Sequence, residues 1–157
     1  MHDLIPLNSL TEAQTEQLWR LYQAEWWSKG RSLSDVTTML QHTGVVFGYA
    51  KPDGTLVAFA RMLTDRLYRA LLLDVIVAPD YRSRGLGARL MRDITTHPVL
   101  GNVESIVLFC RPELVEFYQR CGFATSDTGI VSMRLRKTAY PVPSQPTNDS
   151  EPSVQRT

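Results

Sequence analysis

The chain has 157 residues, 43% of them hydrophobic, and its 17 basic residues nearly balance 16 acidic ones. This length fits a single domain, and the apolar content is sufficient for one hydrophobic core. A net charge of +1 argues against a generally basic nucleic-acid-binding protein. No apolar run is long enough to cross a membrane, and no secretory signal is recognisable, so we expect a cytoplasmic protein. The two cysteines, Cys110 and Cys121, form neither a metal-binding pattern nor a disulfide framework.

The N-terminal part of the chain predicts helices followed by an antiparallel pair of strands. Thr11 with Gln14 three residues later is typical of a helix capping box. Lys51-Pro52-Asp53-Gly54 is a turn signal between two strands. The predicted elements are a strand at 2–7, a helix at 11–23, a helix capped by Ser32 or Ser34 that runs to Leu40, and strands at 45–49 and 55–63.

The segment 71–88 joins a buried strand to a glycine-rich helix start. Residues 71–77 are apolar except for Asp74, which predicts a strand covered on both faces. Pro79 ends that strand, and apolar residues at helical spacing predict a helix that begins near Arg84 or Gly85. Free amide groups at a helix N-terminus attract anions, and glycine lets a phosphate approach the backbone. The junction is therefore a candidate phosphate site.

The local charge supports an anionic ligand at this junction. Between Arg61 and Arg92 the chain has seven arginines and three acidic residues, whereas the whole chain is nearly neutral. A P-loop is excluded because no lysine lies between Lys51 and Lys137. A dinucleotide fingerprint fits poorly because Ser83 and Leu90 stand where glycines are required. The pattern favours a small polyanionic ligand over nucleic acid.

The C-terminal part predicts one more strand and helix, and then a change of composition. A strand is expected at 105–110 and a helix at 112–121, which Gly122 caps. A final pair of strands is expected near 123–126 and 130–136. Residues 138–157 are rich in proline, serine and threonine, which predicts a disordered tail after a domain at 1–137.

Two motifs together resemble those of one enzyme family. Arg82-x-x-Gly85-x-Gly87 resembles the R/Q-x-x-G-x-G/A acyl-CoA loop of the GNAT superfamily of N-acetyltransferases. About thirty residues later, Phe117-Tyr118-x-x-x-Gly122-Phe123 resembles the F-Y-x-x-x-G-F signature of the same superfamily. The resemblance covers roughly residues 44–136. It implies an α/β fold with a mixed, largely antiparallel central sheet flanked by helices.

The resemblance also implies a reaction and a donor site. The reaction is direct attack of an amine on the thioester of acetyl-CoA in a ternary complex, with no metal. A small-molecule amine is favoured over a protein as acceptor; no nucleic acid or membrane partner is expected, and a homodimer is left open. The pantetheine arm would pair with the backbone of Val75, Ile76 and Val77. The pyrophosphate would lie on the amides near the helix start, with charge added by the Arg82 and Arg84 side chains; the residues of this loop are Arg82, Ser83, Arg84, Gly85, Leu86, Gly87 and Ala88.

Candidate catalytic residues follow from the same resemblance. Tyr118 occupies the family position of the donor to the departing thiolate; the alternative is a core aromatic residue beside Phe117. The strand glutamate that serves as base in many family members is absent from residues 70–73. Asp74 is either a base or substrate anchor, or a member of a structural ion pair. Glu25 and His42 are weaker candidates for the base, and a water chain is a further alternative.

The region between the two N-terminal helices is expected to form the acceptor wall. Glu25, Trp26 and Trp27 would contribute to it, with at least one tryptophan used for packing. An exposed indole beside a carboxylate would suit an apolar or aromatic amine. A module that binds acyl-CoA as a sensor, without turnover, is the alternative function.

Overall fold

The computed structural model describes residues 3–125, 132–135 and 137. The described part of the chain contains five strands, β1 (Ile5–Leu7), β2 (Val45–Ala50), β3 (Leu56–Thr64), β4 (Arg69–Val77) and β5 (Ser105–Val107). Its four α-helices are α1 (Glu12–Ala24), α2 (Leu33–Gln41), α3 (Leu86–Thr95) and α4 (Val115–Arg120). All of these elements lie in one compact unit, Met1–Thr125.

The strands form one sheet in the order β1-β2-β3-β4-β5. The first four strands pair antiparallel with their neighbours, and β5 pairs parallel with β4. The predicted mixed, largely antiparallel sheet flanked by helices is therefore confirmed. A parallel neighbour requires a crossover connection, and α3 lies in the connection between β4 and β5.

Local sequence signals account for where the helices begin. Thr11 caps α1 in a complete capping box with Gln14, and Ser32 caps α2 in the same way with Asp35. These reciprocal bonds satisfy two backbone amides that a helix start otherwise leaves without partners. The predicted helix starts at the glycine junction and after Thr11 are thus confirmed, and Ser32 is the cap of α2.

Both faces of the sheet are covered, as the apolar run in β4 predicts. On one face, α3 buries Leu86, Leu90, Met91 and Ile94 against strand residues such as Met62 and Leu72. On the other face, α1 and α2 bury Leu18, Tyr22 and Val36 against Phe59 and Ile76. A strand with both faces in a core needs apolar residues at nearly every position.

A bulge interrupts β4 at Asp74. Phe59 of β3 stands opposite Ile76, but Arg61 stands opposite Leu73, so two β4 residues face one β3 residue. Asp74 has a backbone φ of 54°, in the left-handed region that aspartate tolerates better than most residues. The extra residue reverses the alternation of side chains along the strand.

The structure differs from the expected strand pattern at the C-terminal side. The strand predicted at 105–110 ends at Val107, because pairing with β4 covers only residues 69–71 of that strand in the described part of the chain. Of the final strand pair, residues 126, 130, 131 and 136 lie outside the described residues, and 123–125 and 132–135 are not in strands. The predicted tail at 138–157 also lies outside the described residues. Within the described residues, no helix combines the length and the apolar character that a membrane crossing requires.

Replacement of Leu90 by alanine tests the packing of α3 on the sheet. Leu90 is 1% exposed in the core that α3 shares with β3 and β4. Truncation leaves a cavity, so we expect the free energy of unfolding to fall by about 2 to 5 kcal/mol. Leu67→Ala is the control, since Leu67 is 55% exposed. Chemical denaturation of both variants would measure the difference, and equal losses would contradict this packing.

Candidate active site

The site begins where β4 and β5 diverge. Their parallel pairing is confined, within the described residues, to Arg69–Leu71 of β4 and Ser105–Val107 of β5. Beyond Leu71, β4 continues for six residues, bonded to β3 on its other edge. The stretch Val75–Val77 of β4 is therefore not paired with β5 in this part of the chain, and we call this unpaired region between the two strands the gap. An extended ligand could bond to such an edge.

The helix start at the end of β4 is shaped for an anion. Gly85 is the N-cap of α3 with φ 80°, and Ser83 has φ 56°. Among the described residues, no side chain caps this helix start. The amides of Leu86, Gly87 and Ala88 are consequently those that a bound phosphate would meet, at the positive end of the helix dipole. Arg84 is exposed beside them.

Gly87 lies beside both the end of β4 and α4. A Cβ atom at this position would lie 3.5 Å from the ring of Phe117 and 3.9 Å from a methyl group of Val77, which are ordinary van der Waals distances. Packing alone would therefore admit a methyl group here. The two motifs that the sequence placed thirty residues apart meet at this point.

Arg82 is bonded to the protein rather than free for a ligand. Its Nε donates to the Val77 carbonyl at 2.9 Å, and its Nη2 lies 2.5 Å from Oε1 of Glu25. The carboxylate offsets the positive charge that the sequence led us to expect at the loop. Arg84 remains the loop arginine whose side chain forms no hydrogen bond or ion pair with the described residues.

Asp74 is the centre of a buried polar cluster. Its carboxylate accepts hydrogen bonds from the hydroxyl of Tyr22 at 3.0 Å, from Nη1 of Arg31 at 3.1 Å and from Nε of Arg61 at 2.6 Å. The side chain of Asp74 is only 6% exposed. The geometry supports the structural ion pair among the alternatives that the sequence left open.

The acidity of this cluster argues against proton abstraction by Asp74. Burial raises the pKa of its carboxyl, but the hydrogen bond from Arg61 and the charge of Arg31 outweigh burial, so its pKa is lowered overall. Burial, together with the charge of Asp74, raises the pKa of Tyr22, which stays protonated and donates. A carboxylate with a lowered pKa and two cationic partners is a poor general base at neutral pH.

Tyr118 lies in α4 at the edge of the α3 core. It is 9% exposed and makes edge-to-face contacts with Phe117 and Phe123. Burial, with smaller effects of Cys110 and Cys121, raises the pKa of its phenol to about 12. Among the described residues, no group hydrogen-bonds its hydroxyl, and since no fully buried side-chain oxygen there lacks a partner, this oxygen is not fully buried. The phenol is therefore protonated at neutral pH and has a proton to donate.

Residues 25–27 reach three parts of the fold. Glu25 pairs with Arg82, as described above. Trp26 is 51% exposed, and the guanidinium carbon of Arg111 lies 5.3 Å from its ring centroid. Trp27 packs against Tyr22 with ring centroids 5.6 Å apart. The expectation that at least one tryptophan serves packing is confirmed for Trp27.

The residues that pair with Asp74 lie far from it in the sequence and could not be predicted from it. Nothing in the sequence pairs Arg31 or Arg61 with Asp74, from which they are 43 and 13 residues distant. The one available signal was the lone charge in an apolar strand, which requires a buried partner. The sequence likewise did not indicate that Arg111 lies beside the ring of Trp26. His42, a weaker candidate for the base, is exposed at the C-terminal end of α2.

Two surface cavities contain none of the predicted site residues. One, of about 500 Å³, lies between α2 and the start of β2, and the other, of about 310 Å³, lies beside Tyr49, Asp93 and His97. The proposed donor site is an open strand edge and a helix start, so an enclosed cavity is not expected there. In the described residues, no cluster of three or more histidine, cysteine or acidic side chains is placed to hold a metal.

Known proteins resemble this chain in sequence and in structure. The model of the Acetyltransferase (GNAT) family matches residues 9–123. An uncharacterized N-acetyltransferase, ycf52, of Porphyra purpurea is 28% identical over 140 residues, which is 83% of this chain and 79% of the relative. Serotonin N-acetyltransferase 2, chloroplastic, of Oryza sativa subsp. japonica is 33% identical over 102 residues, 63% of this chain and 51% of the relative.

A solved structure shares the fold. A provisionally assigned acetyltransferase of Deinococcus radiodurans R1 superposes with a TM-score of 0.71 and 27% identity, over 86% of this chain and 89% of that protein. The rice relative is named as a chloroplast protein; a cytoplasmic location of this chain stays a prediction.

Replacement of Asp74 by asparagine tests the buried cluster. Asparagine also tolerates the left-handed backbone, so the change removes mainly the charge and leaves two arginines beside a neutral amide. We expect a loss of about 3 kcal/mol of unfolding free energy at pH 7. Asp53→Asn, at an exposed ion pair with Lys51, is the control with the same chemical change.

The pH dependence of that loss identifies its cause. The folded pKa of Asp74 lies below the ordinary value of 3.8, so its contribution is fully present above that value. The contribution is lost as pH falls through the folded pKa. The stability difference between parent and Asp74→Asn is therefore expected to be constant from about pH 7 to 5 and to shrink below about pH 4. A difference that grew on acidification would contradict the ion-pair assignment.

Proposed function

The chain belongs to the GNAT acetyltransferase family and is an acetyl-CoA-dependent N-acetyltransferase, and on that premise we propose that it acetylates a small-molecule amine by direct attack in a ternary complex. One observation carries the proposal: the unpaired edge of β4 is followed, after the short connection 78–84, by the Gly85 helix start. The two parts of an acyl-CoA that need different chemistry, the pantetheine amides and the pyrophosphate, would thus meet two stretches of backbone that are close in the sequence.

The pyrophosphate would bind at the start of α3. The amides of Leu86, Gly87 and Ala88 supply donors, and Gly85 leaves no side chain between them and a phosphate. Arg84 adds an exposed positive charge. Arg82 would position the loop rather than bind the phosphates, because its guanidinium is bonded to the Val77 carbonyl and to the Glu25 carboxylate.

The pantetheine arm would extend the sheet on the edge of β4. Within the stretch Val75–Val77, the backbone N–H and C=O groups that point away from β3 would pair with its amides in the manner of an added strand. The bulge at Asp74 ends the regular part of β4 immediately before these residues. The thioester would then lie in the gap between β4 and β5.

Acetyl transfer requires the amine nitrogen to attack the thioester carbonyl. The carbon–sulfur bond then breaks, the amide forms, and CoA leaves as a thiolate that needs a proton or hydrogen bond. Tyr118 would supply it, since its hydroxyl is protonated and makes no hydrogen bond within the described residues. The raised pKa makes full proton transfer costly early in the reaction, so hydrogen-bond donation during bond breaking is the expected role.

The amine must lose a proton before it attacks. A lysine-like amine with a pKa of about 10 is only about 0.1% neutral at pH 7, which costs about 4 kcal/mol. Asp74 is committed to Arg31 and Arg61, and the family's strand glutamate is absent. We therefore assign proton removal to a water chain that opens to solvent rather than to Asp74.

The acceptor wall would be formed by Trp26 and Trp27, because the carboxylate of Glu25 is bonded to Arg82. Trp26 exposes about half of its surface, and an indole face suits an amine with an apolar or aromatic body. The rice relative is named for serotonin, a small amine. These points favour a small-molecule acceptor over a protein.

Incubation with acetyl-CoA and a panel of amines tests the function. The panel should contain arylalkylamines, polyamines, aminoglycosides and lysine peptides, and acetylated products should be read by mass spectrometry. A thiol reagent is less suitable because Cys110 is an exposed free cysteine. Acetylation of at least one small amine supports the proposal. Binding of acetyl-CoA without any product would identify a sensor module instead, and acetylation of peptides alone would overturn the acceptor class.

Arg84→Ala tests the phosphate site. Loss of one charged donor should weaken acetyl-CoA binding by about 1 to 3 kcal/mol while the amides of α3 remain. Arg92→Ala removes the same charge from the exposed last turn of α3 and serves as control. Titration calorimetry would measure both affinities, and equal effects of the two variants would place the phosphates elsewhere.

Tyr118→Phe tests the donor to the thiolate. The ring remains, so packing against Phe117 and Phe123 is preserved. We expect nearly unchanged acetyl-CoA affinity and a turnover number lowered by about 10- to 1000-fold. Phe117→Leu at a neighbouring ring is the packing control. Unchanged turnover, under conditions where chemistry limits the rate, would make Tyr118 a packing residue.

A further inference from the structure

Residues Glu25–Trp27 form what we call the strap, because each of them contacts a different arginine near the site. Glu25 pairs with Arg82, whose Nε also bonds the carbonyl of Val77, the last residue of β4. The ring of Trp26 lies beside Arg111, which follows Val107, the last residue of β5, by four positions.

The third residue of the strap joins it to the bulge. Trp27 packs edge-to-face on Tyr22, and the guanidinium of Arg31 lies 5.4 Å from the centroid of the Trp27 ring. Both Tyr22 and Arg31 donate to the carboxylate of Asp74. Three successive side chains are thus linked, through the residues they contact, to the end of β4, to the segment after β5 and to the bulge.

We propose that Glu25 is a positioning residue for the donor site, acting through Arg82 on the end of β4. Its carboxylate holds the guanidinium that in turn bonds Val77, so it fixes the backbone on which the pantetheine arm would lie and from which the phosphate loop departs. The inference rests on the proposed function, because it requires acetyl-CoA to lie on the end of β4 and on the phosphate loop. It assigns Glu25 to the shape of this acetyl-CoA site rather than to contact with the amine.

Exposure and charge support positioning over direct binding. The side chain of Glu25 is 20% exposed, whereas that of Arg82 is 49% exposed. The better-buried partner is the acid, which a cofactor rich in phosphate would repel. A carboxylate kept beside a phosphate loop therefore needs a role that outweighs its repulsion of the ligand, and the bond through Arg82 to Val77 provides one.

The sign of the change in affinity separates the possible roles. If Glu25 acted on the ligand only through its charge, its removal would strengthen acetyl-CoA binding. If it contacted the acceptor or took its proton, acetyl-CoA affinity would be unchanged. Positioning through Arg82 predicts the opposite of the first outcome: Glu25→Ala should raise the Kd for acetyl-CoA about 3- to 10-fold.

Titration calorimetry with acetyl-CoA on the full chain provides the test. Glu25→Gln keeps an oxygen that accepts from Arg82 and should retain more affinity than Glu25→Ala. Arg82→Ala should weaken binding by a similar factor, and the double variant should be no weaker than Arg82→Ala alone, because both changes break the same chain of contacts. Glu16→Ala removes the same charge from an exposed pair with Arg20 in α1 and should leave Kd unchanged.

A kinetic measurement distinguishes positioning from catalysis. With any amine that the parent acetylates, Glu25→Gln should raise the KM for acetyl-CoA and leave kcat and its pH dependence unchanged. Melting temperatures of the unliganded variants, expected within about 3 °C of the parent, exclude unfolding as the cause. Tighter or unchanged binding by Glu25→Ala, additive effects in the double variant, or a lost limb of the pH profile would each overturn the proposal. Absence of acetyl-CoA binding by the parent itself would instead refute the proposed function.

Discussion

The carboxylate of Asp74, with Arg31 and Arg61 around it, is the interaction on which the arrangement of the site depends. Asp74 stands at the point where β4 departs from regular pairing, with a backbone conformation that few side chains tolerate. The two guanidinium groups and the hydroxyl of Tyr22 hold its side chain on the α1 face of the sheet. The position of the bulge is thereby linked to the helical layer that covers this face.

The bulge has a direct consequence for the rest of β4. Before it, Ala70 and Leu72 belong to the core beneath α3; after it, Val75 and Val77 pack against that core, and Ile76 joins the opposite one. The pairing with β5 has already ended at Leu71, before the bulge. The edge assigned to the pantetheine arm thus lies in the part of β4 whose side-chain alternation the bulge has reversed.

A buried charge cluster adds little net stability to a fold, because desolvation of the charges offsets their mutual attraction. Apolar residues of similar volume often do as well, but removal of one member leaves uncompensated charge in the interior. The cluster here fixes a conformation, because it connects α1, the segment before α2, β3 and β4 at one carboxylate. The Glu25–Arg82 pair extends this connection to the last residue of β4 and so to the phosphate loop.

The sequence predicted best those features that depend on neighbours in the chain. The capping boxes at Thr11 and Ser32 and the glycine start of α3 use residues within one helical turn, and each was found where its local pattern indicated. Asp74 was recognised as unusual, but its partners come from two other elements, and no local pattern indicates them. The strand predicted at 105–110 was too long for the same reason: its apolar residues fit a strand, but its pairing with β4 ends at Val107.

Binding of CoA along the edge of β4 and at the start of α3 is tested most directly by the amide NMR spectrum of the isotope-labelled protein during titration with CoA. We expect shifted and exchange-protected amides at two places, Val75–Val77 on the edge of β4 and Leu86–Ala88 at the start of α3. The amides that line the cavity beside Tyr49 and Asp93 should stay unchanged. Shifts confined to that cavity, with the β4 edge and the α3 start unaffected, would contradict this mode of binding.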